Sequence, residues 1–313
     1  MSKTNSFSFE PGSEEMFVDY TALYNEVNSF DSPDHIELKK EFFQSSFSYP
    51  SIELSKDIIL VRNTMGNLVA SGTIFTQKQS AQISKIGIQV HPDYRRQGIG
   101  SSLMQQLIQI GRNRGSSQFI CRFPSFRNYV IPFLESRNFI HDFTWIKMNI
   151  THKDPVSIPA LPWGLTIRAL NVKKELSIWA NLQNTIFQDR VDYESVDVES
   201  LRSLTKLVNF DHNLLTIAKI HDISVGYCFA LPVESVYAER TIQIQGIGIL
   251  AHYRRRGYGR TLLIETLNRA YLKGYTSTEL VVTSNNEAAI SLYEECGFRE
   301  KYRYHWYKLS LEN

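Results

Sequence analysis

The chain has few cysteines, almost no net charge and no long apolar run. Its 313 residues include only Cys121, Cys228 and Cys296, whose spacing matches neither a metal site nor a redox pair. A sparse, odd set of cysteines favours a reducing compartment. The 34 basic residues nearly balance the 32 acidic residues, so the charge does not suggest a nucleic-acid partner.

Apolar segments long enough for a membrane are also missing. No run approaches the roughly 18 apolar residues that a membrane span needs. Met1 to Glu10 lacks the apolar core of a secretory signal. We therefore expect a cytoplasmic protein with no metal, no nucleic acid and no membrane among its partners. The sequence does not predict an oligomeric state.

What the chain does contain is the same short string twice. Tyr94–Gly100 is YRRQGIG, and Tyr253–Gly259, 159 residues later, is YRRRGYG. Other residues keep this offset: Val90 and Ile249, Leu103 and Leu262, Gly115 and Gly274, and Phe139 and Phe298. A constant offset over about fifty residues indicates one structural unit present twice.

The join between the two copies is rich in proline. Thr151 to Gly164 contains Pro155, Pro159 and Pro162 and has neither helical nor strand periodicity, which is typical of a stiff linker. The length of the chain also favours two domains. We predict an N-terminal domain at 1–152, a linker at 153–164 and a C-terminal domain at 165–313.

Both halves show the same predicted order of elements. A helical region is followed by a hairpin, a third strand, the glycine turn, a helix, a further strand, a short helix and a closing strand. The third strands are predicted at 83–90 and 242–250, and the closing strands at 143–150 and 304–311, each in its own half. This order favours a mixed α/β sheet with helices on both faces.

The repeated string predicts a phosphate-binding turn. The first N–H groups of a helix lack partners and carry the positive end of its dipole. Glycines let the backbone approach an anion closely. A dinucleotide fingerprint would need a third glycine where Leu103 and Leu262 stand, and a P-loop would need Gly-Lys-Ser/Thr. The alternative is that Gly-x-Gly forms only a tight turn.

Two segments resemble the GNAT superfamily of N-acetyltransferases. Val90–Gly100 and its second copy resemble the acetyl-CoA motif Gln/Arg-x-x-Gly-x-Gly/Ala after a strand. Asn286–Phe298 resembles the downstream pattern Asn-x-x-Ala-x-x-x-Tyr-x-x-x-Gly-Phe. The resemblance covers nearly the whole chain. It implies two tandem GNAT domains, each a mostly antiparallel twisted sheet with splayed central strands, and acetyl-CoA as co-substrate.

The resemblance also implies roles for individual residues. Tyr293 would protonate the departing CoA thiolate, and the N–H of Ile249 or Val90 would polarise the thioester carbonyl. The cofactor-binding residues implied in the second half are Ile247, Gly248, Ile249, Arg254, Arg255, Arg256, Gly257, Tyr258, Gly259, Arg260 and Asn286. Those implied in the first half are Ile88, Gln89, Val90, Arg95, Arg96, Gln97, Gly98, Ile99, Gly100 and Ser101.

The halves differ where the chemistry is expected. Leu134 stands where the second half has Tyr293, and Asn138 stands where it has Gly297. Leucine cannot deliver a proton, so we expect the second half to be catalytic and the first to be a degenerate copy. The alternative for Tyr293 is a core tyrosine with its hydroxyl at the edge of the core.

The sequence supplies no obvious general base. Gln243, Gln245 and Ser84 stand where many family members carry a glutamate, and none is a carboxylate. Either the base acts through water from elsewhere, or the amine arrives neutral. These glutamines could equally be solvated or paired across strands. His91 and His252 flank the turns and are interpreted as surface residues.

The acceptor site is open to two readings as well. Five acidic residues could attract a cationic amine or could be a solvated helix start: Asp189, Asp192, Glu194, Asp197 and Glu199. Four aromatic positions could line the cleft or pack on the sheet: Tyr302, Tyr304, His305 and Trp306.

Together these features predict an N-acetyltransferase. It would move an acetyl group from acetyl-CoA to a primary amine of a small molecule or peptide, by direct attack in a ternary complex. The alternative is a CoA-binding regulatory or scaffold protein without turnover.

Overall fold

The chain forms two compact units. The computed structural model describes residues 6–32, 35, 37–48, 52–76, 82–156, 162–189, 193, 195–207, 209–233 and 240–311. The first unit comprises Met1–Trp145 and Tyr302–Asn313, and the second comprises Ile146–Lys301.

The first unit is a mixed, mostly antiparallel sheet with helices. Its strands are β1 (Ser8–Pro11), β2 (Ile58–Arg62), β3 (Leu68–Thr76), β4 (Ile83–Val90), β5 (Gln118–Pro124), the beginning of β6 (Ile140–Thr151) and most of β12 (Arg299–Ser310). Its helices are α1 (Phe17–Asp31), α2 (Lys40–Phe47), α3 (Leu54–Asp57), α4 (Ile99–Asn113) and α5 (Val130–Glu135). The strand order is β1-β2-β3-β4-β5-β12, and only the β4–β5 pair among these is parallel.

Helices cover both faces of this sheet because successive side chains of a strand point to opposite faces. On β2, Ile59 and Val61 pack with Leu103 and Leu107 of α4. Ile58 and Leu60 pack on the other face with the aromatic residues of α1 and α2. The three-layer arrangement expected from the sequence is confirmed for this unit.

The second unit repeats this arrangement. Its strands are the end of β6, β7 (Leu165–Ala169), β8 (Leu215–Ile220), β9 (Ile223–Pro232), β10 (Thr241–Ile249), β11 (Ser277–Thr283) and the beginning of β12. Its helices are α6 (Leu176–Phe187), α7 (Val198–Leu204), α8 (Tyr258–Leu272) and α9 (Glu287–Glu295). The order is β11-β10-β9-β8-β7, and β10–β11 is the parallel pair.

Two helical layers again enclose the sheet. On β8, Leu215 and Ile217 pack against Trp179 of α6. Thr216 faces the opposite side, where its hydroxyl lies 3.2 Å from that of Thr266 on α8. Trp179 is fully buried, so the α6 layer is a true core.

The closing strands form as predicted, but the assignment of the last strand to the second half is wrong. From Tyr304 to Ser310, β12 pairs antiparallel with β5 of the first unit, with Tyr304 opposite Pro124 and Ser310 opposite Gln118. Residues at the end of β6 pack in the second unit, where His152 N–H donates to Thr276 O at 2.7 Å. Alternation predicts a half-buried strand but does not specify which sheet the strand joins.

This pairing makes the first unit depend on the end of the sequence. Tyr307 on β12 is 5% exposed, and its ring centroid lies 5.6 Å from that of Phe123 on β5. We expect Tyr307→Ala to lower the free energy of unfolding by about 3 kcal/mol through the cavity it leaves. Hydrogen exchange should show lost protection in β4 and β5. Tyr307→Phe is the control, and loss of protection centred on β10 and β11 instead would contradict the pairing.

Candidate active site

The two glycine turns have the same backbone conformation. Arg96 and Arg255 have φ of 63° and 61°, and Gly98 and Gly257 have φ of 84° and 79°. Each glycine carbonyl accepts the first hydrogen bond of the following helix, donated by Ser102 N–H at 3.0 Å or by Thr261 N–H at 3.1 Å. A left-handed conformation at two of three consecutive residues is rare without glycine, so its repetition indicates a shared constraint.

Both turns leave space for an anion. The first N–H groups of α4 and α8 have no carbonyl within their own helix to bind. A Cβ placed on Gly98 or Gly257 would have nothing within 4 Å. Amides at the positive end of a helix dipole that face open space are suited to a phosphate. The residues present therefore fit the pyrophosphate of a CoA molecule.

The first arginine of each motif braces the turn. Arg95 Nε donates to Val90 O at 3.2 Å, and Arg254 Nε donates to Ile249 O at 2.9 Å. These guanidinium groups therefore have protein partners, although the sequence grouped them with the cofactor ligands. Arg96 and Arg255 have no hydrogen-bond or ion-pair partner among the described residues, so their charge is available.

The strand before each turn presents one N–H to the opening beside it. Leu250 N–H donates to Val225 O at 2.8 Å, and His91 N–H donates to Val69 O at 2.9 Å. Residues of an antiparallel strand alternate between facing a given neighbour and facing away. The N–H groups of Ile249 and Val90 therefore point away from β9 and β3, toward the parallel neighbour.

That parallel neighbour separates from the strand at equivalent places in the two units, to within one residue. The β4–β5 pairing ends at Ile86 opposite Cys121, and the β10–β11 pairing ends at Ile244 opposite Leu280. All four strands continue beyond these pairs, so each unit has a wedge-shaped opening. In the β9–β10 ladder a bulge lies between Ile244 and Gly246, whereas the β3–β4 register is regular. Bulges often re-aim backbone groups beside active sites.

The wedge of the first unit is part of an open cavity. Its volume is about 630 Å³, which is within the range of small-molecule sites. It extends from Gly98 and Ser101 at the turn to Tyr20 and Ser71. Gln89 Nε2 donates to Ser71 Oγ at 2.9 Å, so this polar end is ordered.

The second unit contains the predicted acid, Tyr293. It lies on α9, is 8% exposed, and packs with its ring centroid 5.9 Å from that of Phe298. Burial, and then the neighbouring Cys228 and Cys296, raise the Tyr293 pKa well above its usual value. The phenol therefore stays protonated at neutral pH and can donate a hydrogen bond.

The other positions that distinguish the halves have clear structural roles. Asn286 begins α9, and its Oδ1 accepts from Ala289 N–H at 3.2 Å, which leaves its amide NH₂ to contact a ligand. Leu134 is buried in the first core. Asn138 and Gly297 share positive φ, 62° and 96°, because asparagine tolerates the left-handed region.

The glutamate positions hold no base. Gln245 Nε2 donates to Gln243 Oε1 at 3.2 Å, so the two side chains bind each other along β10. Ser84 is fully buried, with its hydroxyl 2.8 Å from that of Ser116. Opposite Gln243 lies Glu279, a carboxylate that the sequence argument missed.

The predicted acceptor residues are only partly brought together. Asp197 caps α7 by accepting from Ser200 N–H at 2.6 Å, as a helix start would, and Asp192 and Glu194 lie outside the described residues. Of the two readings of Tyr302, Tyr304, His305 and Trp306, packing on the sheet is the one that the structure supports, and the sheet is that of the first unit. There Phe143 and Trp306 stack with centroids 5.0 Å apart.

A buried carboxylate that the sequence did not single out organises the first cleft. Asp31, at the end of α1, is paired with Arg95 at 3.0 Å and Arg127 at 2.8 Å, and accepts from Tyr129 Oη at 2.8 Å. These partners lie far from Asp31 in the sequence, so no local pattern could have revealed the cluster.

The comparison with known families decides the identity. The model of the Acetyltransferase (GNAT) family matches residues 20–139 and again 178–298. The chain belongs to this family. The tandem layout expected from the repeat is confirmed, and the chain is an acyltransferase. Acetyl-CoA is the usual co-substrate in the family.

Similar proteins agree with a tandem GNAT layout. A mycothiol acetyltransferase of Thermobispora bispora is 24% identical over 211 residues, which is 67% of this chain and 70% of that protein. A GCN5-related N-acetyltransferase from Sphaerobacter thermophilus has a TM-score of 0.83 at 19% identity, covering 98% of this chain and 96% of that one. A tandem GNAT protein from the clavulanic acid biosynthesis pathway has a TM-score of 0.77 at 14% identity, covering 98% and 99%.

Two further findings concern metals and membranes. Within the described ranges, no group of three or more His, Cys, Asp or Glu side chains could hold a metal ion. No helix in that part of the chain is both long and apolar enough to cross a bilayer.

Tyr20, which lines the first cavity, predicts a pH effect on stability. Burial raises its pKa from 10.0 to about 12. Above pH 10 the unfolded phenol loses its proton while the folded one keeps it, so stability falls as pH rises toward 12. Between pH 8 and pH 11, chemical denaturation of Tyr20→Phe should show about 1.4 kcal/mol less loss than the parent chain. An equal loss in both would mean that Tyr20 is not buried as a neutral phenol.

Proposed function

We propose that the second unit transfers the acetyl group of acetyl-CoA to a primary amine of a small molecule or peptide. This proposal is supported by three features of the second unit: the glycine turn, the opening beside the bulged strand β10, and a buried, protonated Tyr293. The first unit has the turn and the opening, but Leu134 replaces the phenol. Catalysis therefore belongs to the second unit.

Backbone groups hold the co-substrate in this proposal. Amides from Arg255 to Arg260 bind the pyrophosphate, and Arg255 adds charge at the same place. The pantetheine arm lies in the opening and pairs with Ile247 and Ile249 as an added strand would. Asn286 contributes its free amide NH₂ to the same arm.

The reaction is a direct acyl transfer. The neutral amine nitrogen attacks the thioester carbon while the Ile249 N–H stabilises the developing charge on oxygen. The carbon–sulfur bond then breaks, and Tyr293 donates a hydrogen bond and its proton to the departing sulfur. Because its pKa is raised, Tyr293 is a weak acid that responds only as negative charge builds up on sulfur. The proton of the amine leaves through water, since no carboxylate replaces Gln243 or Gln245.

A second candidate function belongs to the first unit. Its cavity is open and carries an intact turn, yet the position of the acid is leucine. A CoA molecule held there would bind without turnover. This observation favours a regulatory or bracing CoA site in the first unit beside a catalytic site in the second.

The role of Tyr293 is tested by removing only its hydroxyl. We expect Tyr293→Phe to lower kcat about a hundredfold, the lower end of general-acid contributions, with the Kd for acetyl-CoA unchanged by calorimetry. Free CoA release from a panel of amines supplies the rate. Tyr275→Phe, in the same unit but away from the turn, is the matched control. A fall of less than threefold would remove Tyr293 from the mechanism.

The assignment of the units is tested with a symmetrical pair of variants. Gly98→Asp and Gly257→Asp place the same charge at equivalent left-handed positions, so their backbone strain is matched. Each should remove one equivalent of bound CoA from a total of two, because the carboxylate repels the pyrophosphate. Turnover should disappear with Gly257→Asp and persist with Gly98→Asp. The reverse pattern would assign catalysis to the first unit.

A further inference from the structure

The cavity of the first unit is lined by positive charge. Among its described lining residues there are five arginines and no aspartate, glutamate, lysine or histidine: Arg95, Arg96, Arg122, Arg127 and Arg137. Among the residues that the structure describes, the one carboxylate paired with them is Asp31, behind Arg95 and Arg127. A cleft that is lined by charges of one sign attracts ligands of the opposite charge.

Four of these arginines contact Asp31 or belong to the region of the glycine turn. Arg95 and Arg127 pair with Asp31, and Arg95 also braces the turn. Arg96 lies in the turn itself. Arg137 donates to Ser101 Oγ, in the first turn of α4, at 2.6 Å. Arg96 and Arg137 therefore lie at the turn, where a CoA phosphate would bind.

Arg122 is the exception. It directly follows Cys121, the last residue of β5 to pair with β4, so it lies at the narrow end of the wedge. The four residue-to-residue steps from Ile86 to Val90 separate this end from the turn by about 13 Å. No carboxylate among the described residues pairs with Arg122. Its guanidinium carbon lies 5.0 Å from the centroid of the Tyr304 ring and 5.5 Å from that of Trp306.

A phenol lines the same cavity. Tyr24 is among the lining residues. Burial raises its pKa, and the positive charges of Arg127 and Arg122 offset only part of that effect. A cavity that offers both an arginine fork and a phenol donor matches the oxygens of a carboxylate.

An acetyl group does not use this charge. The acyl chain of a CoA thioester whose carbonyl meets the Val90 N–H would extend from there toward the narrow end of the wedge, and an acetyl group is neutral. In the second copy the position of Arg122 is Val281, and that of Arg127 is Asn286. The charge is thus specific to the first unit and is not a requirement of the fold.

We propose that Arg122 and Tyr24 form a carboxylate subsite at the narrow end of the first-unit cleft. Its ligand is an acyl-CoA whose acyl group ends in a carboxylate, or acetyl-CoA together with a separate small carboxylate. This inference rests on the proposed CoA site of the first unit for the position of the acyl group. The subsite itself requires only Arg122 and the cavity.

The experiment compares two thioesters that differ at one end. Succinyl-CoA and butyryl-CoA have acyl chains that end in a carboxylate and a methyl group. Calorimetry is performed on the full chain carrying Gly257→Asp, which removes CoA binding from the second unit. The measured affinity is then that of the first cleft. We expect succinyl-CoA to bind at least tenfold more tightly than butyryl-CoA. Arg122→Val, which introduces the residue of the second copy, should bring the two within twofold while acetyl-CoA affinity stays the same.

Control experiments show whether the carboxylate belongs to the thioester or to a separate molecule. They also distinguish failure of the CoA site from failure of the carboxylate subsite. Arg112→Val changes an exposed arginine on α4 and should preserve the tenfold preference. One outcome is that succinate binds to the chain that is saturated with acetyl-CoA and that the Arg122→Val substitution abolishes that binding. In that case the carboxylate belongs to a separate molecule and the subsite stands. If no CoA thioester binds but succinate still does so through Arg122, the CoA site is wrong and the subsite stands. Equal affinity for both thioesters without succinate binding, or a preference that survives Arg122→Val, overturns the proposal.

Discussion

The hydrogen bond from the first motif arginine to the last carbonyl of its strand holds each site in shape. Arg95 and Arg254 bind the carbonyls of Val90 and Ile249. In both copies of the motif the backbone then turns through an arginine and a glycine in the left-handed conformation. The N–H of Val90 or Ile249 remains directed into the opening, and the helix begins with free amides above it.

The two copies have kept this constraint and diverged around it. The first copy adds Asp31, which fastens its turn to α1 through Arg95, and loses the phenol at Leu134. The second copy adds a bulge after Ile244 and keeps Tyr293. Each change affects a side chain or a strand beside the turn, whereas the backbone of the turn is the same within a few degrees. The backbone of the turn is therefore common to two units whose surrounding side chains differ.

The fold was largely predictable from sequence because its signals are local. Periodicity located β4 at residues 83–90, and each glycine turn predicted a helix directly after it, where α4 and α8 begin. The partner of β12 was not predictable, since alternation specifies a buried face and not a neighbouring strand. The Asp31 cluster was missed for the same reason, as Arg95 and Arg127 approach it only in the folded chain. Of the candidate site, the turns could be derived, whereas the charge of the first cleft required coordinates.

The contrast between the copies follows from what each opening encloses. In the function we propose, the phenol of Tyr293 stays neutral because burial penalises its anion, and it acts only as charge develops on a departing group. The guanidinium of Arg122 would instead favour an anion that the ligand already carries when it binds. The first arrangement would stabilise a transition state, and the second would stabilise a bound ligand. On this proposal a single duplicated scaffold holds a catalytic site and a binding site, because the residues beside the turn determine which state each opening favours.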